Sequence, residues 1–145
     1  MAITQAIANA FKKQLLEGDA NFASGGDKFK LALYTSSATL NSATTSFTTT
    51  NEVANSGTYA SGGDDLAGQN TSVASGVAIV DFADLSFTGV TLTARGALIY
   101  NTSSAVTNAA VAVLDFGADK TATSGTFTVQ FPAFTTSAAI LRISG

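Results

Sequence analysis

The sequence predicts a mainly β domain, an antiparallel β-sandwich or barrel-like fold with one N-terminal amphipathic helix, and three observations carry that expectation. From Phe29 onward, short runs rich in β-branched and aromatic residues recur between clusters of Gly, Asn, Ser and Thr. Two apolar runs, Leu92–Asn101 and Ala109–Gly117, flank a polar stretch whose Asn and Ser favour a turn. Near the N-terminus, Ile3, Ile7, Phe11 and Leu15 recur at helical spacing, a pattern found in no other part of the chain.

A length of 145 residues points to one domain spanning residues 1–145, able to bury roughly 70% of its unfolded surface. Hydrophobic residues make up 46% and charged residues only 12%, about half the usual charged share. Neutral polar residues are cheaper to press against a partner than Lys or Glu, which must first be desolvated. The composition therefore fits either a secreted or Thr-rich β domain or a protein in lasting contact with others. Net charge is −3 and the seven Lys and Arg are scattered, so no nucleic-acid partner is expected. Cysteine is absent, so no disulfide is expected. The N-terminal stretch lacks the basic and apolar regions of a signal peptide, and no apolar run has membrane-spanning length. A soluble protein folding in a cytoplasm is the expectation.

Taken in order, the helix is predicted over residues 4–17. Thr4 can serve as N-cap, and Gly18 stands where a left-handed residue closes a helix. Its stripe, widened by Ala10 and Leu16, either packs on the chain's own sheet or docks on a neighbouring subunit. Phe29–Tyr34 alternates as a half-buried strand. Residues 35–70 form a long Ser/Thr/Gly/Asn excursion with Leu40, Phe47, Val53, Tyr59 and Leu66 as apolar anchors. A loop of that length is suspect in a small domain, so short strands or turns, or ordering by a partner, are expected there. Strands resume at Val77–Phe82 and continue through Leu85–Phe87. The central pair follows, with Gly96 and Ala97 leaving room for something bulky to pack close. Asp119–Gly125 reads as a turn-rich link. Thr126–Phe131 alternates cleanly, with Phe127, Val129 and Phe131 facing in, until Pro132, the only proline, ends it. Ala138–Ile143 is the last predicted strand.

The available chemistry is sparse. With no His and no Cys, the commonest general base, the thiol nucleophile and typical zinc ligands are missing. No nucleophile-elbow, Walker or dinucleotide motif occurs. Asp64-Asp65 after Gly62-Gly63 could offer oxygen ligands to calcium, yet the spacing matches no EF-hand, and a solvated turn is the simpler reading. Asp81 and Asp84 could pair as glycosidase carboxylates, but tryptophan, a common sugar-stacking platform, is absent. Arg95, the lone charge in its strand, either snorkels over apolar surface or pairs with a carboxylate such as Asp115. No enzyme, cofactor or metal is expected.

Four segments together are more specific: the run from Met1 to Lys13, Phe29-Lys-Leu-Ala-Leu-Tyr-Thr-Ser-Ser-Ala-Thr-Leu40, Leu92–Asn101 and Ala112-Val-Leu-Asp-Phe-Gly117. With Asn51-Glu52-Val53 and Ala118–Pro132, they resemble, over nearly the whole chain, small virion structural proteins of tailed bacteriophages. The resemblance implies a non-enzymatic virion component assembled in the host cytoplasm, and a capsid decoration (cement) protein more readily than a tail part. The implied partners are the major capsid protein and copies of itself, as a homo-oligomer with a trimer among its orders, and neither nucleic acid nor membrane. The other readings are a tail component (tube, adaptor or fibre-attachment protein) and a receptor- or glycan-binding module on the virion. The residues expected to meet a partner are Ile3, Ile7, Phe11 and Leu15 on the helix, with Phe47 and Tyr59 on the excursion.

Overall fold

The computed structural model describes residues 2–144. Two antiparallel sheets and one short helix build it, in the order β1 (Ala6–Ile7), α1 (Asn9–Leu16), β2 (Phe29–Tyr34), β3 (Asp64–Asp65), β4 (Asn70–Ala74), β5 (Val77–Asp81), β6 (Leu85–Asn101), β7 (Ala109–Val129) and β8 (Leu141–Ser144). The larger sheet runs β1-β7-β6-β2-β3, the smaller β4-β5-β8. Both sheets end in free edges, so the mainly β fold is an open, sandwich-like one rather than a closed barrel.

The β6–β7 pair stands at the centre of the larger sheet. Leu98, Ile99 and Val113 are wholly buried, because both faces of the sheet are covered. One face, bearing Tyr34, Leu98 and Tyr100, lies under the excursion. Phe47 stacks on Tyr100 with ring centroids 4.8 Å apart, and the Tyr34 hydroxyl donates to the Thr48 carbonyl at 2.6 Å. Leu40, Val53, Tyr59 and Leu66 are buried, so the excursion is held at the expected anchors, partly as cover over this face and partly, at Glu52–Val53 and Asp64–Leu66, along the edge of β2. The side of Gly96 is filled by Ile3, whose Cγ2 lies only 2.9 Å from where a Cβ would stand.

Three expectations need correcting. The helix is shorter than residues 4–17. Ala6 and Ile7 pair with Val113 and Ala112 of β7, while Ile3 bridges to Leu40. The Thr4 N–H donates to the Leu40 carbonyl at 2.9 Å, and the Ala8 N–H to the Val111 carbonyl at 2.9 Å. The inner stretch of β7 needs hydrogen-bond partners once buried, and residues 6–8 supply them as extended chain, while Ile3 and Thr4 pair with Leu40. Four-residue spacing suits a strand as well as a helix, since it also returns to the same face of a pleat. The N-cap is accordingly Ala8, without a side-chain bond, and not Thr4. Gly18, at φ 74°, does close the helix: its N–H reaches the Leu15 carbonyl and that of Asp19 the Gln14 carbonyl. Within the helix, Phe11 and Gln14 face inward, and Leu16 is 89% exposed.

Second, Asp119–Gly125 is no link, because β7 runs unbroken to Val129. Register shifts between β6 and β7, with Gly117 and Ser124 at positive φ, absorb extra residues as bulges instead of ending the strand. Paired hydroxyls hold this distal section, Thr93 with Thr121 and Ser86 with Thr128, each at 2.9 Å. Phe127 and Val129 are buried as expected, whereas Phe131 lies past the strand's end, half-buried. Third, β4 lies across the end of the excursion and the residues after it. Ser75-Gly76 is the turn signal that marks it.

A five-ring cluster joins the sheets. Phe22, from the connector after α1, stacks on Phe29 of β2 with centroids 4.4 Å apart and planes 4° apart. Phe82, just beyond β5, meets Phe29 at 5.8 Å and Phe131 at 5.7 Å, and Phe11 of α1 meets Phe22 edge-on at 5.7 Å.

Candidate interaction surface

Between α1 and the smaller sheet lies an open apolar cleft of about 610 Å³, whose lining includes Phe11, Leu15, Leu16, Val73, Ile79 and Ile143. The strand register explains its sheet wall. Thr71, Val80 and Leu141 stand abreast, as do Val73, Ala78 and Ile143 in the next row on the same face. That second row is apolar across all three strands, yet Val73 is 73% and Ile143 57% exposed. With Leu16, they gather the three most exposed large hydrophobic side chains among the described residues around one cleft. Monomeric soluble proteins rarely expose large contiguous apolar patches. Lys12 and Arg142 also line the cleft, and among the described residues its lining holds no carboxylate. Lys12 Nζ is held by Asn9 Oδ1 at 3.3 Å and Arg142 Nη1 by the Thr136 carbonyl at 3.4 Å. Among the described residues neither forms an ion pair.

The residues expected to meet a partner divide. Ile3, Phe11 and Tyr59 are buried in this chain's own core, although Phe11 also forms part of the cleft floor. Ile7 and Leu15, half-buried, line the cleft. Phe47, half-buried, is spent on Tyr100. The cleft thus unites Ile7, Phe11 and Leu15 but not Ile3, Phe47 or Tyr59. Sequence reasoning missed Val73 and Ile143. Their signal is a pair of apolar residues on short strands, readable only once those strands are known to be neighbours.

The other polar constellation is a pin holding the excursion. Glu52 Oε1 accepts from the Tyr59 hydroxyl at 2.8 Å and the Gly62 N–H at 2.6 Å, and Oε2 accepts from Ser61 Oγ at 2.8 Å. The Leu33 N–H donates to Tyr59 Oη at 2.8 Å, and the Tyr100 hydroxyl donates to the Gly62 carbonyl at 2.6 Å. Burial drives the phenols of Tyr34 and Tyr59 well above the usual tyrosine range, with the Glu52 charge adding to it. Tyr100 is pushed up to about 12, by burial first and then by Glu52 and Asp65.

These shifts set a pH dependence. The folded state keeps the phenols protonated, while unfolded tyrosines ionise near pH 10. Stability is therefore complete below pH ~10 and falls as pH rises from there through the folded values. Unfolding free energy measured from pH ~8 to ~12 should decline over the upper half of that window. The decline should be shallower in Tyr100→Phe, and an equal slope would show that Tyr100 carries none of it.

The remaining predicted residues are local fasteners. Arg95 Nε pairs with Asp115 Oδ1 at 3.0 Å within the chain. Asp115 is held below the usual carboxylate range by the Gly117 N–H and then by Arg95. Asp84 Oδ1 accepts from the Phe131 N–H at 2.8 Å, and Asp81 Oδ1 from the Phe82 N–H at 2.9 Å. Asp64 and Asp65 are not a loop but the exposed strand β3, paired with Leu31 and Lys30. Among the described residues no three acidic side chains converge as a metal-binding group would need, and no helix is long and apolar enough to cross a membrane.

No family model, curated protein or solved structure matches this chain.

Proposed function

We propose that this protein is a non-enzymatic structural component of a tailed-phage virion, a capsid decoration protein that stabilises the lattice of the major capsid protein. The observation that carries the reading is the apolar cleft between α1 and the smaller sheet, set in a surface with few charges. The sequence resemblance supplies the class, and the cleft supplies a contact. The occupant is a segment of the major capsid protein with an apolar face. Lys12 and Arg142, in no ion pair among the described residues, complement carboxylates beside that face and fix its direction. Apolar burial provides most of the affinity, and repetition over the shell multiplies it.

The test is to add purified protein to expanded heads that lack it, at low and high salt, and to count bound copies. Stoichiometric binding that persists in salt and raises the heads' resistance to heat is expected, since salt screens mainly exposed ion pairs. Val73→Asp should abolish that binding. A protein that ignores heads but forms rings or binds tails is a tail component, and the decoration reading then fails.

A further inference from the structure

A strand at the edge of a sheet presents unpaired backbone groups, and proteins blunt such edges with charges, bulges, shortness or cover. The other edges here carry such devices. β1 and β3 are two residues long, and β3 is Asp64-Asp65. The exposed stretch of β7 carries Asp119 and Lys120 and is bulged at Gly117 and Ser124. The distal edge of β6 is covered by the excursion, where the Thr58 N–H donates to the Thr88 carbonyl at 3.1 Å and the Thr91 N–H to Ser56 Oγ at 2.9 Å. β8 is four residues long and carries Arg142. β4 has none of these. Its five residues, Asn70-Thr71-Ser72-Val73-Ala74, are neutral and all exposed, and they pair with β5 without a break in register.

The turn that closes the β4–β5 hairpin fixes which way the backbone of β4 points. Ser75 and Gly76 both have positive φ, 51° and 76°, the signature of a two-residue hairpin turn. The flanking Ala74 and Val77 are then a hydrogen-bonded pair, and alternation makes Ser72/Ile79 and Asn70/Asp81 hydrogen-bonded pairs too. Thr71 and Val73 therefore aim their N–H and C=O groups at the open edge. The Thr71 N–H is met only by the neighbouring Asn70 Oδ1, at 2.9 Å.

We propose that β4 is a self-pairing edge, along which two copies of this chain join antiparallel about a two-fold axis at Ser72. A two-fold axis normal to the sheet requires one residue to face its own copy. With Ser72 in that place, Thr71 of each copy falls opposite Val73 of the other. Those are the two residues whose backbone groups point outward, so each pair exchanges both of its N–H···O bonds. No charge meets its like, because β4 has none. The two smaller sheets become one continuous sheet, and the apolar row ending at Val73 continues into the row of Thr71, Val80 and Leu141 of the second copy. This pairing is independent of the virion reading and is tested on purified protein alone.

The chain has no cysteine, so one introduced at the axis reports pairing without background. Ser72 faces its copy as a non-hydrogen-bonded pair, with Cα atoms about 4.5 Å apart, inside the range of roughly 4.4–6.8 Å that a disulfide spans. Under mild oxidation Ser72→Cys should form a covalent dimer about tenfold faster than Thr121→Cys, a control on exposed β7; tenfold corresponds to about 1.4 kcal/mol. Adding Val73→Lys should return the rate to that of the control. Val73→Pro removes only the outward N–H, a change an edge strand tolerates, and should do the same with the fold intact by circular dichroism. Sedimentation of the unmodified chain should show a dimer that Val73→Pro abolishes. Equal cross-linking rates at positions 72 and 121, a dimer indifferent to both Val73 variants, or a monomer at every concentration would each overturn the proposal.

Discussion

Gly63→Ala should destabilise the fold by about 3–5 kcal/mol, combining the cost of a left-handed non-glycine residue with that of overpacking. Gly63 has a φ of 75°, and a Cβ there would overlap the Leu31 carbonyl oxygen of β2. That atom is backbone in the sheet's interior, so it cannot swing aside as a side-chain tip would. Relief would require Gly63 to leave β2. This would draw Gly62 from Glu52 and Tyr100, and strip β3 from the edge of the larger sheet. Equilibrium denaturation is the measurement. A loss below about 1 kcal/mol would mean that residues 60–65 do not pack on Leu31. Gly25, also left-handed but with open space around its Cβ position, is the control: Gly25→Ala should cost about 1–3 kcal/mol, the conformational cost alone.

Phe29→Ala is expected to cost about 3–5 kcal/mol as well, the range for emptying a buried aromatic site. Phe29 is wholly buried, stacks on Phe22 and meets Phe82 edge-on. These contacts join β2 of the larger sheet to the connector after α1 and to the end of β5. The substitution therefore loosens one sheet from the other as well as opening a cavity. Hydrogen exchange should show the β4–β5–β8 amides losing protection before those of β6 and β7. If all the strands lose protection together, the ring cluster is not what fastens the smaller sheet.

The parts of this fold legible in the sequence are those where local pattern and tertiary environment agree. Leu98–Tyr100 and Val111–Val113 combine strand length, β-forming residues and apolar continuity. Phe29–Tyr34 is legible as a strand through its alternation, although both its faces are buried rather than one. All lie inside the larger sheet. The anchors of the excursion were legible because Leu40, Val53, Tyr59 and Leu66 are isolated apolar residues in a polar stretch, with few other places to go. Ile3 and Ile7 misled because a spacing of four fits both a helix and a strand, and only the buried stretch of β7 decides between them. The polar run from Asp119 to Gly125 resembles a link, since bulges and cross-strand hydroxyl pairs give no periodic signal. The cleft was legible on its helix side through Phe11 and Leu15. Its other wall depends on β8 joining the β4–β5 hairpin, a pairing across more than 60 residues that no local pattern announces.

The pairing of β1 with β7 also orders events in time. Ala6 precedes its partner Val113 by more than a hundred residues, so it is synthesised well before it. Until then the N-terminal segment has no sheet to join, and Ile3 has no Gly96 to pack against. The β6–β7 hairpin, closed by a short connection, can form from local contacts, while the flanking strands wait for it. A chain whose decisive contacts are so distant in sequence belongs among slow folders, with folding times of order milliseconds to seconds. Ala6 and Ile7 therefore stay outside any sheet until the last third of the chain, which carries β7, is in place.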